Sequence, residues 1–77
     1  MRSRVKFYRM RAGLTQTELA RLAGVNRVSL AHVERGRLKP WPALRLRLAQ
    51  ALGVSEAELF DDRQDLDELL GKLVVNT

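Results

Sequence analysis

Residues 16–36 constrain the fold more than any other part of the chain, because they encode two short helices joined by a tight turn. Thr15 and Glu18 have the spacing of a capping box, in which each side chain accepts a hydrogen bond from the other residue's backbone N–H. Gly24 marks the turn, since glycine adopts a positive φ without a steric penalty from Cβ. Asn26 is a favourable N-cap for the second helix. This punctuation predicts one helix before Gly24 and another after Asn26.

Apolar residues at helical spacing indicate how these two helices pack. The spacing that brings them together near a right angle is carried by Ala20, Gly24, Val25, Leu30 and Val33. Two helices in this arrangement form a helix-turn-helix, whose second helix enters the DNA major groove. We therefore expect the segment at about 27–35 to be a recognition helix.

Four motifs in one register strengthen this interpretation: LTQ at 14–16, GV at 24–25, VERG at 33–36 and ALGV at 51–54. Together they resemble the lambda-repressor-like, Cro/repressor or XRE-type DNA-binding domain over about residues 3–60. The resemblance implies a compact all-α fold of five helices. It also implies a sequence-specific DNA-binding transcriptional regulator, similar to small phage repressors, controller proteins and antitoxins.

The remaining pattern is also helical. Residues 3–12 predict a first helix that buries Val5, Tyr8 and Ala12. A fourth helix is expected from about Pro42 to Leu52, and Ser55 with Glu58 predicts a capping box for a short fifth helix. We expect residues 1–60 to form the DNA-binding domain.

Residues 61–77 predict a short C-terminal amphipathic helix that either covers the core or dimerises. Apolar residues recur there at helical spacing, and those expected to dimerise are Leu66, Leu69, Leu70 and Leu73.

Charge is distributed unevenly along the chain. Residues 1–50 carry twelve Lys or Arg and two acidic residues, a balance of +10. Residues 51–77 carry two Lys or Arg and seven acidic residues, a balance of −5. The two parts together give the net charge of +5. The basic part coincides with the helix-turn-helix, as expected for a surface that faces phosphates.

The recognition helix offers three candidate base-reading residues: Arg27, Val28 and His32. They lie outside the apolar stripe that Leu30 and Val33 form, which is the side of the helix that we expect to be buried. An arginine can pair with the O6 and N7 atoms of guanine, and a valine can contact the thymine methyl group. The alternatives are a phosphate contact for Arg27 and plain solvent exposure for His32.

Phosphate contacts are expected around this helix. The resemblance implies that Gln16 and its backbone N–H lie against the DNA backbone, since the N-terminus of a helix attracts anions. The full set of expected phosphate-binding residues is Gln16, Asn26, Ser29, Arg35, Arg37 and Lys39.

Two further residues have a structural interpretation. The resemblance implies that Arg9 pairs with Glu34, which would fix the first helix against the third. Trp41 stands where the family has a small capping residue. It could pack on the core, contact sugar-phosphate or join a dimer interface, and core packing is the simplest expectation.

Several function classes are not expected. No combination of Ser, His, Asp or Cys suggests a catalytic site, so we predict no enzyme, no cofactor and no metal site, and no small-molecule effector. No apolar run is long enough for a membrane span, and we expect a cytoplasmic, nucleoid-associated protein. The predicted partner is double-stranded DNA with a near-palindromic operator, bound by a homodimer. The alternative function is a protein-interaction module, such as a coactivator or an antitoxin that holds a toxin.

Overall fold

The computed structural model describes residues 2–61 as five helices and one minimal strand pair. The helices are α1 (Val5–Arg11), α2 (Gln16–Ala23), α3 (Arg27–Glu34), α4 (Pro42–Leu52) and α5 (Glu56–Leu59), and the strands are β1 (Arg2–Ser3) and β2 (Phe60–Asp61). The predicted all-α fold of five helices is confirmed. The C-terminal helix predicted within 61–77 lies outside the described residues.

Side-chain caps fix the start of α2 where the sequence predicts it. The Thr15 hydroxyl accepts a hydrogen bond from the Glu18 backbone N–H at 3.1 Å, and the Glu18 carboxylate accepts one from the Thr15 backbone N–H at 3.0 Å. The bond that the Thr15 backbone N–H donates to the Glu18 carboxylate holds the pKa of that carboxyl below its ordinary value, because it favours the ionised form.

Gly24 and Asn26 set the angle between α2 and α3. Gly24 ends α2 with φ of 67°, a left-handed conformation that L side chains rarely adopt. Two residues later, the Asn26 side-chain oxygen accepts hydrogen bonds from the backbone N–H groups of Val28 and Ser29. The chain therefore changes direction within three residues, and α3 begins at the Asn26 cap.

One hydrophobic core joins all five helices. Its buried members are Val5, Leu19, Ala20, Ala23, Leu30, Val33, Leu44, Leu48, Ala49, Leu59 and Phe60. Both apolar positions predicted for α3 belong to this set. Ala12 does not: it is exposed, because α1 ends at Arg11 and Ala12 caps it rather than continuing the buried face.

The two strands connect the beginning of the domain to its end. Ser3 pairs with Phe60 and Arg2 with Asp61 in antiparallel register, and the Arg4 backbone N–H donates to the Leu59 carbonyl at 2.8 Å. The first helix consequently starts at Val5 rather than at residue 3. The Ser3 hydroxyl still accepts a hydrogen bond from the Val5 N–H at 3.2 Å, so Ser3 supports the helix start from outside it.

Within residues 2–61, no helix has the length and apolar character that crossing a membrane requires.

Candidate nucleic-acid interface

The outer face of α3 carries the three predicted base-reading residues. Leu30 and Val33 are fully buried, which turns the opposite side of the helix outward. Arg27 is exposed, Val28 is 53% exposed and His32 is half-buried. The three side chains therefore share a surface on which a cation, an apolar group and an imidazole are available to one ligand.

Asn26 and Ser29 border this face, and part of their polar capacity is already used. The Asn26 side-chain oxygen accepts from the Val28 N–H at 2.8 Å and from the Ser29 N–H at 3.2 Å. These bonds satisfy two of the backbone donors that a helix N-terminus leaves unpaired. The Asn26 oxygen is thus a cap, and Ser29 lies half-buried beside it.

An ion pair between Arg9 and Glu34 ties α1 to the end of α3. Arg9 Nε donates to Glu34 Oε2 at 2.7 Å, and a second guanidinium nitrogen reaches Glu34 Oε1 at 3.3 Å. The third nitrogen donates to the Leu14 carbonyl at 2.8 Å, which adds the connection between α1 and α2. The Arg9 side chain is 11% exposed and that of Glu34 only 3%, so the pair is shielded from water.

Gln16 joins the same cluster. Its Nε2 donates to Glu34 Oε1 at 2.9 Å, so the Gln16 side chain bridges the start of α2 to the end of α3. The family resemblance pairs Glu34 with Arg9 alone, so this bond was not predicted. The phosphate contact predicted for Gln16 therefore depends on its backbone N–H at the N-terminus of α2 rather than on a free amide group.

The loop after α3 carries three exposed cations: Arg35, Arg37 and Lys39. The loop is held against the helix by two backbone bonds, from Gly36 N–H to the Val33 carbonyl at 3.1 Å and from Arg37 N–H to the His32 carbonyl at 2.9 Å. Fixed cations beside a recognition helix suit the flanking phosphates of a bound duplex.

The expectation that Trp41 packs into the core was wrong. Trp41 is 51% exposed and occupies the N-cap position of α4. The flanking prolines explain this placement. Pro40 is buried and Pro42 begins α4. Trp41, between them, has an extended backbone conformation and faces outward.

No group of three or more His, Cys, Asp or Glu side chains within the described residues is arranged to hold a metal ion.

The helix-turn-helix domain family matches residues 1–60 of this chain. Among curated proteins, an uncharacterized HTH-type transcriptional regulator of Archaeoglobus fulgidus is 34% identical over 74 residues, which are 94% of this chain and 100% of that protein. Another, from Methanothermobacter thermautotrophicus, is 41% identical over 68 residues, 88% of this chain and 94% of that protein.

A solved structure agrees with these relatives. The restriction-modification controller protein C.AhdI from Aeromonas hydrophila superposes with a TM-score of 0.70 at 38% identity, covering 74% of this chain and 86% of its own. The likeness therefore extends from sequence to the arrangement of the helices.

The Arg9–Glu34 pair yields a stability prediction. Arg9→Met should lower the free energy of unfolding by about 3 kcal/mol, because it leaves the shielded Glu34 carboxylate without its cation. The double variant Arg9→Met/Glu34→Gln should regain most of that loss, since the substituted amide carries no charge. Urea unfolding followed by circular dichroism measures both. Arg11→Met, at an exposed position of α1, is the matched control and should change stability by less than about 0.5 kcal/mol. Equal losses for Arg9→Met and the double variant would contradict the prediction.

Proposed function

The chain belongs to the helix-turn-helix domain family. From this membership we propose that it is a sequence-specific DNA-binding transcriptional regulator, which inserts α3 into the major groove of an operator. The observation that carries this proposal is the outer face of α3, where Arg27, Val28 and His32 stand clear of the core. A helix that projects such side chains can reach base edges only when it lies in the groove, because the major groove is about 12 Å wide and accepts one helix.

The three side chains have different roles in this proposal. Arg27 donates two hydrogen bonds to guanine, the commonest specific contact of arginine in the groove. Val28 contacts the methyl group of an adjacent thymine, the apolar group that the groove offers. His32, one turn further along α3, reads further inward in the half-site.

Phosphate contacts position the helix without reading sequence. In the proposal, these phosphate contacts come from the Gln16 backbone N–H, Ser29 and the exposed loop cations. The Asn26 side-chain amide N–H group, which the cap does not use, is a further donor. The loop cations are Arg35, Arg37 and Lys39. Residues 1–50, which contain these groups, have a charge balance of +10, and this balance favours a polyanionic partner over a neutral one.

We further propose that the protein binds as a homodimer on a near-palindromic operator. One short recognition helix reads only a few base pairs, whereas two helices about 34 Å apart read one face of the duplex over a full turn. The proposed dimerisation segment is 61–77, where the apolar residues recur at helical spacing in a non-basic part of the chain.

Regulation then depends on occupancy. A bound dimer blocks RNA polymerase, or recruits it at close spacing, and the protein concentration sets the fraction of operator bound. This activity includes no chemical step and no small-molecule effector. Because an operator-binding protein acts on the chromosome, the proposed location is the cytoplasm, at the nucleoid.

Salt dependence tests the proposal as a whole. Duplexes selected from random DNA should bind with an affinity whose logarithm falls by about 0.9 per phosphate contact for each unit of log salt concentration. Several contacts per subunit make the fall steep. Fluorescence anisotropy of a labelled duplex across a salt series measures it. A flat response, or no selected sequence, would favour the protein-interaction alternative instead.

Arg27 and Arg37 should behave differently. Arg27→Ala should weaken binding to the best selected duplex by about 1–3 kcal/mol and relax the preference at one base pair, because a base contact is lost. Arg37→Ala should weaken all duplexes alike and reduce the salt slope by about one contact. Binding profiles over every single-base variant of the duplex distinguish the two. If Arg27→Ala lowers affinity uniformly with an unchanged profile, Arg27 is a phosphate contact and leaves the base-reading set.

Dimerisation has its own test. Leu69→Asp should convert dimers to monomers, because it places a charge among the apolar residues expected at the interface. Sedimentation velocity of the free protein and of its complex with a selected duplex measures the state. Asn76→Asp adds the same charge outside the apolar set and should leave dimers intact. A wild-type protein that stays monomeric on DNA would remove the dimer proposal.

A further inference from the structure

A cavity of about 150 Å³ lies beside the N-terminal half of α3, between the α2–α3 turn and the start of α4. Trp41 and Leu44 form part of its lining on the α4 side, with Arg47 one turn further along that helix. Asn26 and Ser29 line it on the α3 side. The sequence indicates no role for this combination, although contact with sugar-phosphate is one of the three interpretations open to Trp41.

The cavity borders one flank of the exposed face of α3, and the Glu34 cluster borders the other. On a helix of about 3.6 residues per turn, Ser29 and Glu34 lie on opposite sides of the stripe that contains Val28. Ser29 faces the cavity, whereas Glu34 bonds Gln16 at the start of α2. Trp41 and Gln16 are thus placed on opposite flanks of the same helix.

DNA supplies a matching pair of walls. A helix with its side chains is about 10–12 Å across, and the major groove is about 12 Å wide, so a helix in the groove has a sugar-phosphate backbone close to each flank. If the start of α2 meets one backbone, the cavity with Trp41 meets the other.

The chemistry of the cavity fits that second backbone. Arg47 brings a positive charge, and its lining includes no acidic residue. One guanidinium nitrogen of Arg47 donates to the Gly24 carbonyl at 3.2 Å, which holds this exposed cation at the edge of the cavity. Trp41 is half-exposed over a floor that includes the buried Leu44. A deoxyribose presents an apolar face beside an anionic phosphate, so one nucleotide of backbone satisfies both the indole and the guanidinium.

We propose that Trp41 and Arg47 form a seat for the sugar-phosphate backbone on the flank of α3 away from Gln16, with the indole packed on deoxyribose and the guanidinium directed at the adjacent phosphate. This inference rests on the proposed function, since it requires α3 to lie in the groove. The seat contributes affinity and register but no base preference, because sugar and phosphate are the same in every sequence.

The chain contains one tryptophan, so intrinsic fluorescence reports on Trp41 alone. Acrylamide should quench this fluorescence efficiently in the free protein and less efficiently when a selected duplex is bound. Anisotropy of the labelled duplex follows DNA binding independently in the same samples. If no duplex binds, the proposed function fails. If the duplex binds and quenching of Trp41 stays unchanged, the seat is overturned while the function stands. Protection that develops with protein concentration in the absence of DNA would assign Trp41 to an interface between copies and would also overturn the seat.

Variants test the energetic side. Trp41→Ala should weaken binding about fivefold on selected and mismatched duplexes alike, because the apolar contact area with the sugar is lost. Trp41→Phe should keep most of the affinity. Leu46→Ala is the matched control, since Leu46 is 48% exposed on α4 and lies outside the cavity lining. If Trp41→Ala weakens binding no more than Leu46→Ala, the indole contact is overturned, and thermal unfolding verifies that each variant is folded.

Arg47→Gln tests the charge of Arg47. It removes the positive charge, and thermal unfolding verifies that the variant stays folded without the guanidinium bond to the Gly24 carbonyl. The salt slope should fall by about one phosphate contact. An unchanged slope would overturn the phosphate contact of Arg47.

Discussion

The geometry of the domain depends on the hydrogen bonds that the Glu34 carboxylate accepts. This carboxylate lies at the end of α3 with only 3% of its side chain exposed, and it receives hydrogen bonds from Arg9 of α1 and Gln16 of α2. A shielded charge is costly unless it is paired and hydrogen-bonded, so all three helices are held where those bonds can form. Apolar packing through Leu30 and Val33 sets the depth of α3, and this carboxylate fixes its orientation.

That arrangement explains how an acidic residue can stand on the surface that we propose to face phosphates. Arg9 neutralises the carboxylate, and the side chain of Gln16 is drawn inward to it. The negative charge is therefore hidden from a bound polyanion. The cations of the loop after α3 remain exposed on this side of the domain.

The sequence predicts best what local chemistry determines. The caps at Thr15, Asn26 and Ser55 are each completed within three residues, and all three are present. Features that depend on distant residues were missed, apart from the Arg9–Glu34 pair, which the family resemblance implied. Two-residue strands such as β1 and β2 show no alternation, and the Gln16–Glu34 bond joins residues that only the packed fold brings together. The prediction that Trp41 packs into the core was wrong for a different reason. An aromatic residue is a good core candidate by type, but the backbone between two prolines directs this side chain outward.

The pairing of β1 with β2 has a consequence for biosynthesis. Leu59 and Phe60 are both buried, and they come near the end of the domain while their partners Ser3 and Arg4 are made first. A ribosome must therefore release residue 60 before the core can close, even though the helix-turn-helix segment is complete long before. Until then Leu59 and Phe60 are missing from the hydrophobic core to which Val5 and Leu19 also belong, so the core stays incomplete while the domain is being synthesised.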